Sequence, residues 1–259
     1  MNIKKLQEDS ARATYEFSDC SPGYVNAIRR YGLAKVPVMA VDTVEFRQNT
    51  SALYDEMLAH RIGLVPLTTD LKSYALPMAD AAPSAATHVN LSLSAKGPCV
   101  VYSSDLKSDD ATIKPVYGTI PLVKLTQGQS VDFVASACLG KGDDHAKYSP
   151  GLITFQYKPE IKVHNKEDAL KRSLHKFPPG VVKDGKVDEA LILSKPEHID
   201  ACKGVDSDVV DIKIPETPSS FLMIVESWGQ LSSDDILREA INAFNDELEN
   251  FEGELSKLS

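Results

Sequence analysis

The spacing of the apolar residues constrains the fold of this chain more than any other feature of its sequence. In most segments apolar and polar residues alternate, as Ala13, Tyr15 and Phe17 do, which is the period of a half-buried strand. The alternation changes abruptly to helical spacing in the segment Phe46–Leu67, written FRQNTSALYDEMLAHRIGLVPL. Short strands joined by turns predict a unit whose sheet is mainly antiparallel.

The predicted helix in this segment has start and stop signals. The side chain of Asn49, Thr50 or Ser51 is expected to cap its N-terminus by accepting a hydrogen bond from an amide of the first turn. Gly63 is expected to supply the C-terminal cap, and Pro66 prevents the helix from continuing. The expected apolar side consists of Leu53, Met57 and Leu58, flanked by Tyr54 and Ile62.

The remaining surface of this helix carries four ionisable groups, Asp55, Glu56, His60 and Arg61, within seven residues. A zinc-protease helix requires a second histidine four residues from the first with a glutamate beside it, and only one histidine is present. Glu56 and His60 lie at positions i and i+4, where an ion pair is the simpler interpretation. The four groups therefore either brace the chain or meet a partner, and the sequence leaves both alternatives open.

The last predicted helix is the second segment with a strong helical pattern. It is predicted to begin at Ser232 or Ser233, whose hydroxyls can cap, with Asp234 and Asp235 at the positive end of the helix dipole. Its apolar residues are spaced 4, 3, 4, 3, 4, 3, which is the spacing of a heptad seam. This seam packs either on the chain's own sheet or on a partner helix. It consists of Leu237, Ile241, Phe244, Leu248, Phe251, Leu255 and Leu258.

A further helix is predicted after the first strand. Ser21 and Pro22 form a start signal, because a capping hydroxyl precedes a proline whose missing N–H does no harm there. The helix carries Ile28 on its apolar side and reaches Leu33. Arg29 and Arg30 stand together in its middle, where they are either solvated or in contact with a partner, since arginine is favoured at interfaces.

Composition excludes several classes of function. The net charge of -9 argues against a protein that binds nucleic acid by itself, because phosphates require clustered Lys and Arg. The four cysteines are far apart and form no C-x-x-C pair, which favours neither a zinc site nor a disulfide scaffold and suits a reducing compartment. The N-terminus MNIKKLQEDS lacks the apolar region of a signal peptide, and no run of about 18 apolar residues is present to span a membrane.

Two internal segments, 44–158 and 159–205, have different sequence patterns. Residues 44–158 contain several short alternating stretches separated by turns, which predicts a sheet-rich unit. Residues 159–205 contain one short amphipathic stretch, a Phe-Pro-Pro-Gly turn and a mixed, charged run. We expect the second segment to be a small, weakly cored appendage.

Catalytic signals are weak throughout. The loop at Gly140–Asp144 lacks the G-x-x-x-x-G-K-[ST] pattern that holds phosphates, and no G-x-S-x-G elbow is present. His145 follows Asp143 and Asp144, so an acid can orient it as a base, but acids near a histidine are common. The residues alone therefore favour an interaction protein over an enzyme that uses His60 or His145 with nearby carboxylates.

A series of motifs resembles one protein family in the right order. NTSALYDEMLAHRIGLVPL at Asn49–Leu67 resembles the signature of the alpha-like subunit of archaeal RNA polymerase and of its relative, the third-largest subunit of eukaryotic polymerase II. The other matching runs cover most of residues 20–158: VNAIRR at Val25–Arg30, VPVMAVDTVEF at Val36–Phe46, SSDLKSDD at Ser103–Asp110, IPLVKLTQGQ at Ile120–Gln129 and LGKGDDHAKYSPG at Leu139–Gly151.

The resemblance implies a non-catalytic assembly subunit of a nucleotidyltransferase complex, in the cytoplasm. Residues 1–43 and 206–259 would form a discontinuous α+β dimerisation domain, 44–158 an inserted β-rich domain, and 159–205 an appendage. Pairing with the smaller alpha-like subunit L would involve Ile28, Leu237, Ile241, Phe244, Leu248, Phe251 and Leu255. The pair would then carry the second-largest subunit and small zinc-binding subunits. The residues expected to dock a large subunit are Asn26, Arg29, Arg30, Asn49, Asp55, Glu56, His60 and Arg61.

One departure from the family concerns a cofactor. Many archaeal members hold an iron–sulphur cluster in a cysteine-rich segment at the position of residues 159–205, and such a cluster requires several Cys thiolates. Here that segment retains only Cys202. We expect a degenerate appendage without a cluster, and neither a catalytic nor a metal-binding residue in the chain.

Overall fold

The computed structural model describes residues 1–78, 82–164, 167–183, 185–216 and 219–258. Its strands are β1 (Asn2–Glu8), β2 (Arg12–Ser18), β3 (Val38–Asn49), β4 (His88–Lys96), β5 (Cys99–Tyr102), β6 (Lys107–Ser108), β7 (Pro121–Leu125), β8 (Ser130–Gly140), β9 (Gly151–Tyr157), β10 (Glu160–Val163), β11 (Val182–Lys183), β12 (Lys186–Val187), β13 (Val210–Lys213) and β14 (Phe221–Ser227). Its helices are α1 (Pro22–Ala34), α2 (Asp55–Gly63), α3 (Glu167–Ser173), α4 (Glu189–Ser194), α5 (Pro196–Cys202) and α6 (Ser233–Ser256).

The contacts divide the chain into two compact units, each made from two separate stretches. One unit comprises Met1–Arg29 and Ile153–Val225, and the other comprises Arg30–Leu152 and Glu226–Ser259. The division made from the sequence, into a dimerisation domain, an inserted domain and an appendage, stays a prediction.

The first unit is built on a four-stranded sheet in the order β1-β2-β14-β9. Strands β1 and β2 are antiparallel, with a register shift between Lys5 and Gln7. Two antiparallel pairs, β10–β13 and β11–β12, the helices α3, α4 and α5, and the part of α1 up to Arg29 also belong to this unit.

The expectation that residues 159–205 are weakly cored is wrong for the described part of that segment. Val181, Ile192 and Ile199 are almost fully buried, and they share one apolar cluster with Leu222 of β14. A single amphipathic stretch did not reveal this core, because its members are scattered along the sequence. Cys202 belongs to the same cluster, and burial raises the pKa of its thiol.

The second unit contains the sheet β3-β8-β4-β6 and the pair β5–β7, with antiparallel neighbours throughout. Strand β3 pairs with β8 from Val38 to Asn49, with register shifts at Val41/Thr43 and Phe46/Gln48. Helix α2 packs on this unit's apolar cluster, to which it contributes Leu58 and Ile62. The predicted α+β class with mainly antiparallel sheets is confirmed.

Candidate interaction surfaces

The start of α6 agrees with the sequence prediction. The Ser232 hydroxyl oxygen accepts from the Asp235 amide at 3.1 Å, and the hydroxyl donates to the Asp235 carboxylate at 2.6 Å. Asp234 and Asp235 lie in the first turn, where the helix dipole favours negative charge. The helix then continues for 24 residues, which corresponds to about 36 Å.

The apolar seam of α6 changes environment along the helix. Ile236, Leu237 and Ala240 are buried within the chain, and Ile241 and Phe244 are half-buried. Every described residue from 245 to 258 is exposed. Four large apolar side chains of the predicted seam lie in this stretch: Leu248, Phe251 (63% exposed) and Leu255 within the helix, and Leu258 (85% exposed) two residues beyond the last helical residue, Ser256. We call them the α6 stripe; an apolar row of this size on a surface is typical of an interaction site.

A polar cluster holds α6 at the point where the stripe begins. The Tyr31 hydroxyl donates to Glu247, and Lys35 lies 3.3 Å from Glu247 and 2.7 Å from Asp143. The Tyr31 ring meets Phe244 edge-on, with 5.0 Å between ring centroids. We call these contacts the α6 clamp, because they fix the direction in which the exposed half of the helix leaves the rest of its unit.

The clamp shifts the titration of its members. The hydrogen bond from Tyr31, with a further one from Lys35, holds the pKa of Glu247 below its usual value of 4.5. The hydrogen bond to Asp143 raises the pKa of Lys35, and the hydrogen bond to Glu247 raises that of Tyr31. Glu247 lies over two hundred positions from Tyr31 and Lys35, and Asp143 lies over one hundred from Lys35, so no local pattern could have revealed the cluster.

Helix α1 begins as predicted, with the Ser21 hydroxyl oxygen accepting from the Tyr24 amide at 3.3 Å. Ile28, which was expected at a dimer interface, is 1% exposed and lies in the chain's own core. Among the expected docking residues, Arg29 is half-buried and its Nε donates to Asn26 Oδ1 at 3.0 Å, whereas Arg30 is exposed. Arg30 is therefore the more accessible of the two arginines.

The predicted capping of α2 is wrong at both ends. Strand β3 continues to Asn49, and the helix begins only at Asp55, with Tyr54 as an N-cap that makes no side-chain hydrogen bond. Asn49 instead orders the intervening turn, because its side-chain amide donates to Asp55 Oδ1 at 2.7 Å and its oxygen accepts from the Ser51 amide. Gly63 is the last helical residue, and the C-cap is Leu64 at an ordinary negative φ of -89°.

The apolar side of α2 is also narrower than predicted. Leu58 and Ile62 are buried, whereas Met57 is exposed together with Tyr54 (76% exposed) and Leu64. Met57 precedes Leu58 by one residue, and one residue corresponds to about 100° around a helix. Tyr54, Met57 and Leu64 therefore form an exposed apolar strip that the sequence reasoning missed.

The four ionisable groups of α2 separate into two roles. Arg61 donates from Nε to the Leu122 carbonyl at 3.0 Å and from Nη2 to the Pro121 carbonyl at 2.5 Å, so it braces α2 against β7. Asp55, Glu56 and His60 are exposed. The ion pair predicted between Glu56 and His60 is absent from the described part of the chain.

The loop that contains His145 has a structural role. His145 caps the short 3-10 turn at Ala146–Tyr148, because its Nδ1 accepts from the Lys147 amide at 3.0 Å. The Tyr148 hydroxyl lies 3.3 Å from Asp42, and burial raises the pKa of Tyr148. A Cβ on Gly140 would lie 2.5 Å from the Tyr148 ring, so this glycine permits the ring to pack on β8.

Neither a metal centre nor a membrane span is found in the described ranges. No three His, Cys, Asp or Glu side chains group there in a way that could hold a metal ion. No described helix is long and apolar enough to cross a membrane. Two surfaces carry both exposed large apolar side chains and residues that were expected to contact a partner: the α6 stripe and the exposed side of α2.

Comparison with known proteins identifies the family. The family model for the RNA polymerase Rpb3/RpoA insert domain matches residues 41–155. DNA-directed RNA polymerase subunit Rpo3 of Thermococcus kodakarensis is 38% identical over 100% of this chain and 99% of its own length. The subunits of the same name from Pyrococcus furiosus and Pyrococcus horikoshii are 36% and 35% identical, each over 100% of this chain and over 98% and 99% of their own lengths. The chain belongs to the archaeal Rpo3 subunit family of DNA-directed RNA polymerase.

Proposed function

We propose that this chain is a non-catalytic assembly subunit of RNA polymerase that pairs with the smaller alpha-like subunit L. The observation that carries the proposal is the α6 stripe, which continues a buried seam onto an exposed half-helix. Fully burying one large apolar side chain contributes about 1.5–3 kcal/mol before the entropic cost of association is subtracted, so covering the stripe favours pairing with a partner helix.

The interface predicted from the sequence is refined accordingly. Leu248, Phe251 and Leu255 contact subunit L, with Ile241 and Phe244 at the base of the contact. Ile28 of α1 and Leu237 of α6 are buried within the chain, so each stabilises its own helix by packing there.

A second set of residues docks the second-largest subunit. On α2 these are Asp55, Glu56 and His60, whose side chains are exposed. On α1 the exposed Arg30 takes this role, and the bonded pair Asn26–Arg29 supports it. Asn49 and Arg61 act indirectly, since both have partners within the chain. Small zinc-binding subunits then join this platform in the cytoplasm.

The chain works without a cofactor. Its only cysteine between residues 159 and 205 is Cys202, which is buried in an apolar cluster. Iron analysis and the visible spectrum of anaerobically purified protein test this statement. Several irons per chain with a broad charge-transfer band would contradict it.

Pairing is tested by co-producing the chain with the smaller alpha-like subunit of the same organism and purifying the complex at high salt. A stable 1:1 complex is expected. Leu248→Asp places a charge in the stripe and should abolish the complex, whereas Asn250→Asp adds the same charge on an exposed residue away from the stripe and should not. An intact complex with Leu248→Asp would show that the stripe is not the pairing surface.

A further inference from the structure

The exposed half of α6 is strongly acidic as well as apolar. From residue 245 to its last residue, Ser256, it has five acids and no basic residue, and its C-cap, Lys257, is the first basic residue that follows. The acids are Asp246, Glu247, Glu249, Glu252 and Glu254. Any helix that covers the stripe must therefore approach this field of negative charge.

The acids are not distributed evenly around the helix. When the seam residues are assigned to the a and d positions of a heptad, Glu247, Glu252 and Glu254 fall on the flanking e and g positions. Asp246 and Glu249 fall at f and b, away from the stripe. The flanking positions are those at which charges choose a partner helix.

One flanking acid is already satisfied by the chain itself. Glu247 is bound in the α6 clamp by Tyr31 and Lys35. Glu252 and Glu254 lie further along, beside Phe251 and Leu255, and both are exposed. The bond from Lys257 to Glu254 at 2.6 Å joins two side chains that are about 70% exposed, and such a pair contributes little.

We propose that Glu252 and Glu254 select the partner of the α6 stripe: a helix whose apolar row is flanked by Lys or Arg, and not a second copy of this chain. Like charges at facing e and g positions are unfavourable, and two copies of α6 would place acid against acid. This inference rests on the proposed pairing with a smaller alpha-like subunit and adds the chemistry that makes the pairing selective.

The test compares two charge-reversal variants of the full chain for binding to that subunit. Glu252→Lys with Glu254→Lys reverses the flanking charges. Asp246→Lys with Glu249→Lys makes the same change in net charge on the same helix, away from the stripe. At low salt we expect the flanking variant to bind about tenfold or more weakly and the control to stay within about twofold of the original chain.

Two further measurements complete the test. Raising the salt concentration should weaken binding of the original chain and should not weaken binding of the flanking variant, because salt screens attraction and repulsion alike. The original chain alone should sediment as a monomer. Equal losses in both variants, or a dimer of the original chain held through α6, would overturn the inference. Failure of the original chain to bind the smaller subunit would instead overturn the proposed function.

Discussion

The two halves of α6 share one sequence pattern and have opposite environments. Leu237 and Leu255 occupy the same kind of seam position, yet Leu237 is 7% exposed and Leu255 is 49% exposed. The regular spacing therefore reports that a helix forms and which side is apolar. It does not report what covers that side, because the cover comes from residues distant in sequence or from another chain. The following predictions test this difference.

The largest effect on stability is expected from shortening one side chain in the buried half of α6. Leu237→Ala should lower the free energy of unfolding by about 2–4 kcal/mol, since it leaves a cavity in a packed core. Leu255→Ala is the same substitution in the exposed half and should change it by less than about 0.5 kcal/mol. Denaturant unfolding of both variants measures the difference. Equal losses would mean that the exposed half also packs within the isolated chain.

The next effect concerns the complex with the smaller subunit. There Leu255→Ala should weaken binding by about 10- to 100-fold, because the side chain becomes buried in the interface. Titration calorimetry with the purified partner gives the affinity. Gln127→Ala, an exposed residue of the loop before β8, serves as the control and should bind normally. Normal binding by Leu255→Ala would remove this residue from the interface.

A smaller effect is expected from replacing the glycine of the exposed half, which makes the backbone there less flexible. Gly253 lies within α6 with open space around its would-be Cβ. Gly253→Ala should therefore stabilise this half locally by about 0.5–1 kcal/mol, which slows its amide hydrogen exchange. Exchange in the buried half should not change. A uniform effect along α6 would contradict the division of this helix into a buried half and an exposed half with different local stability.

The smallest effect on stability is expected from a substitution within the α6 clamp. Glu247→Gln should destabilise the exposed half by about 0.2–1 kcal/mol, the range of solvent-exposed ion pairs. Glu249→Gln, which alters an acid outside the clamp, is the matched control. Local hydrogen exchange of residues 245–250 measures the loss.

The stabilisation that the α6 clamp provides depends on pH in a defined way. The lowered pKa of Glu247 means that its contribution is present above the usual value of 4.5 and is lost as the pH falls through the lowered pKa. The raised pKa values of Lys35 and Tyr31 mean that their contributions are present below 10.5 and 10.0 and are lost at higher pH. The difference between Glu247→Gln and the original chain should thus vanish at acid pH, and a constant difference would contradict the assignment.

Local signals predicted the secondary structure well where they were not interrupted. The caps Ser21 and Ser232 lie where their hydroxyls were expected, because capping involves only neighbouring residues. Strand β1 was missed, since its register shift between Lys5 and Gln7 breaks the alternation that identifies a strand. The cap of α2 was misplaced because β3 extends to Asn49, and that extension depends on pairing with Val131 of β8.

The candidate surfaces were predicted only in part. The stripe residues Leu248, Phe251 and Leu255 were identified from their spacing and are exposed. The strip of Tyr54, Met57 and Leu64 was missed, because a helical pattern does not say which apolar residues the sheet will cover. The role of Arg61 as a brace depends on carbonyl groups of β7, about sixty residues away.

By itself the sequence determined the periodicity of the elements without interruptions, the caps of α1 and α6, the excess of acid on the last helix and the family resemblance. Only the tertiary structure decided where the seam of α6 leaves the core, that Glu247 is held by Tyr31 and Lys35, and that the segment around Ile192 has a core. The physical reason is the range of the interactions. Spacing and capping act within a few residues, whereas burial and the α6 clamp require groups that only the folded chain brings together.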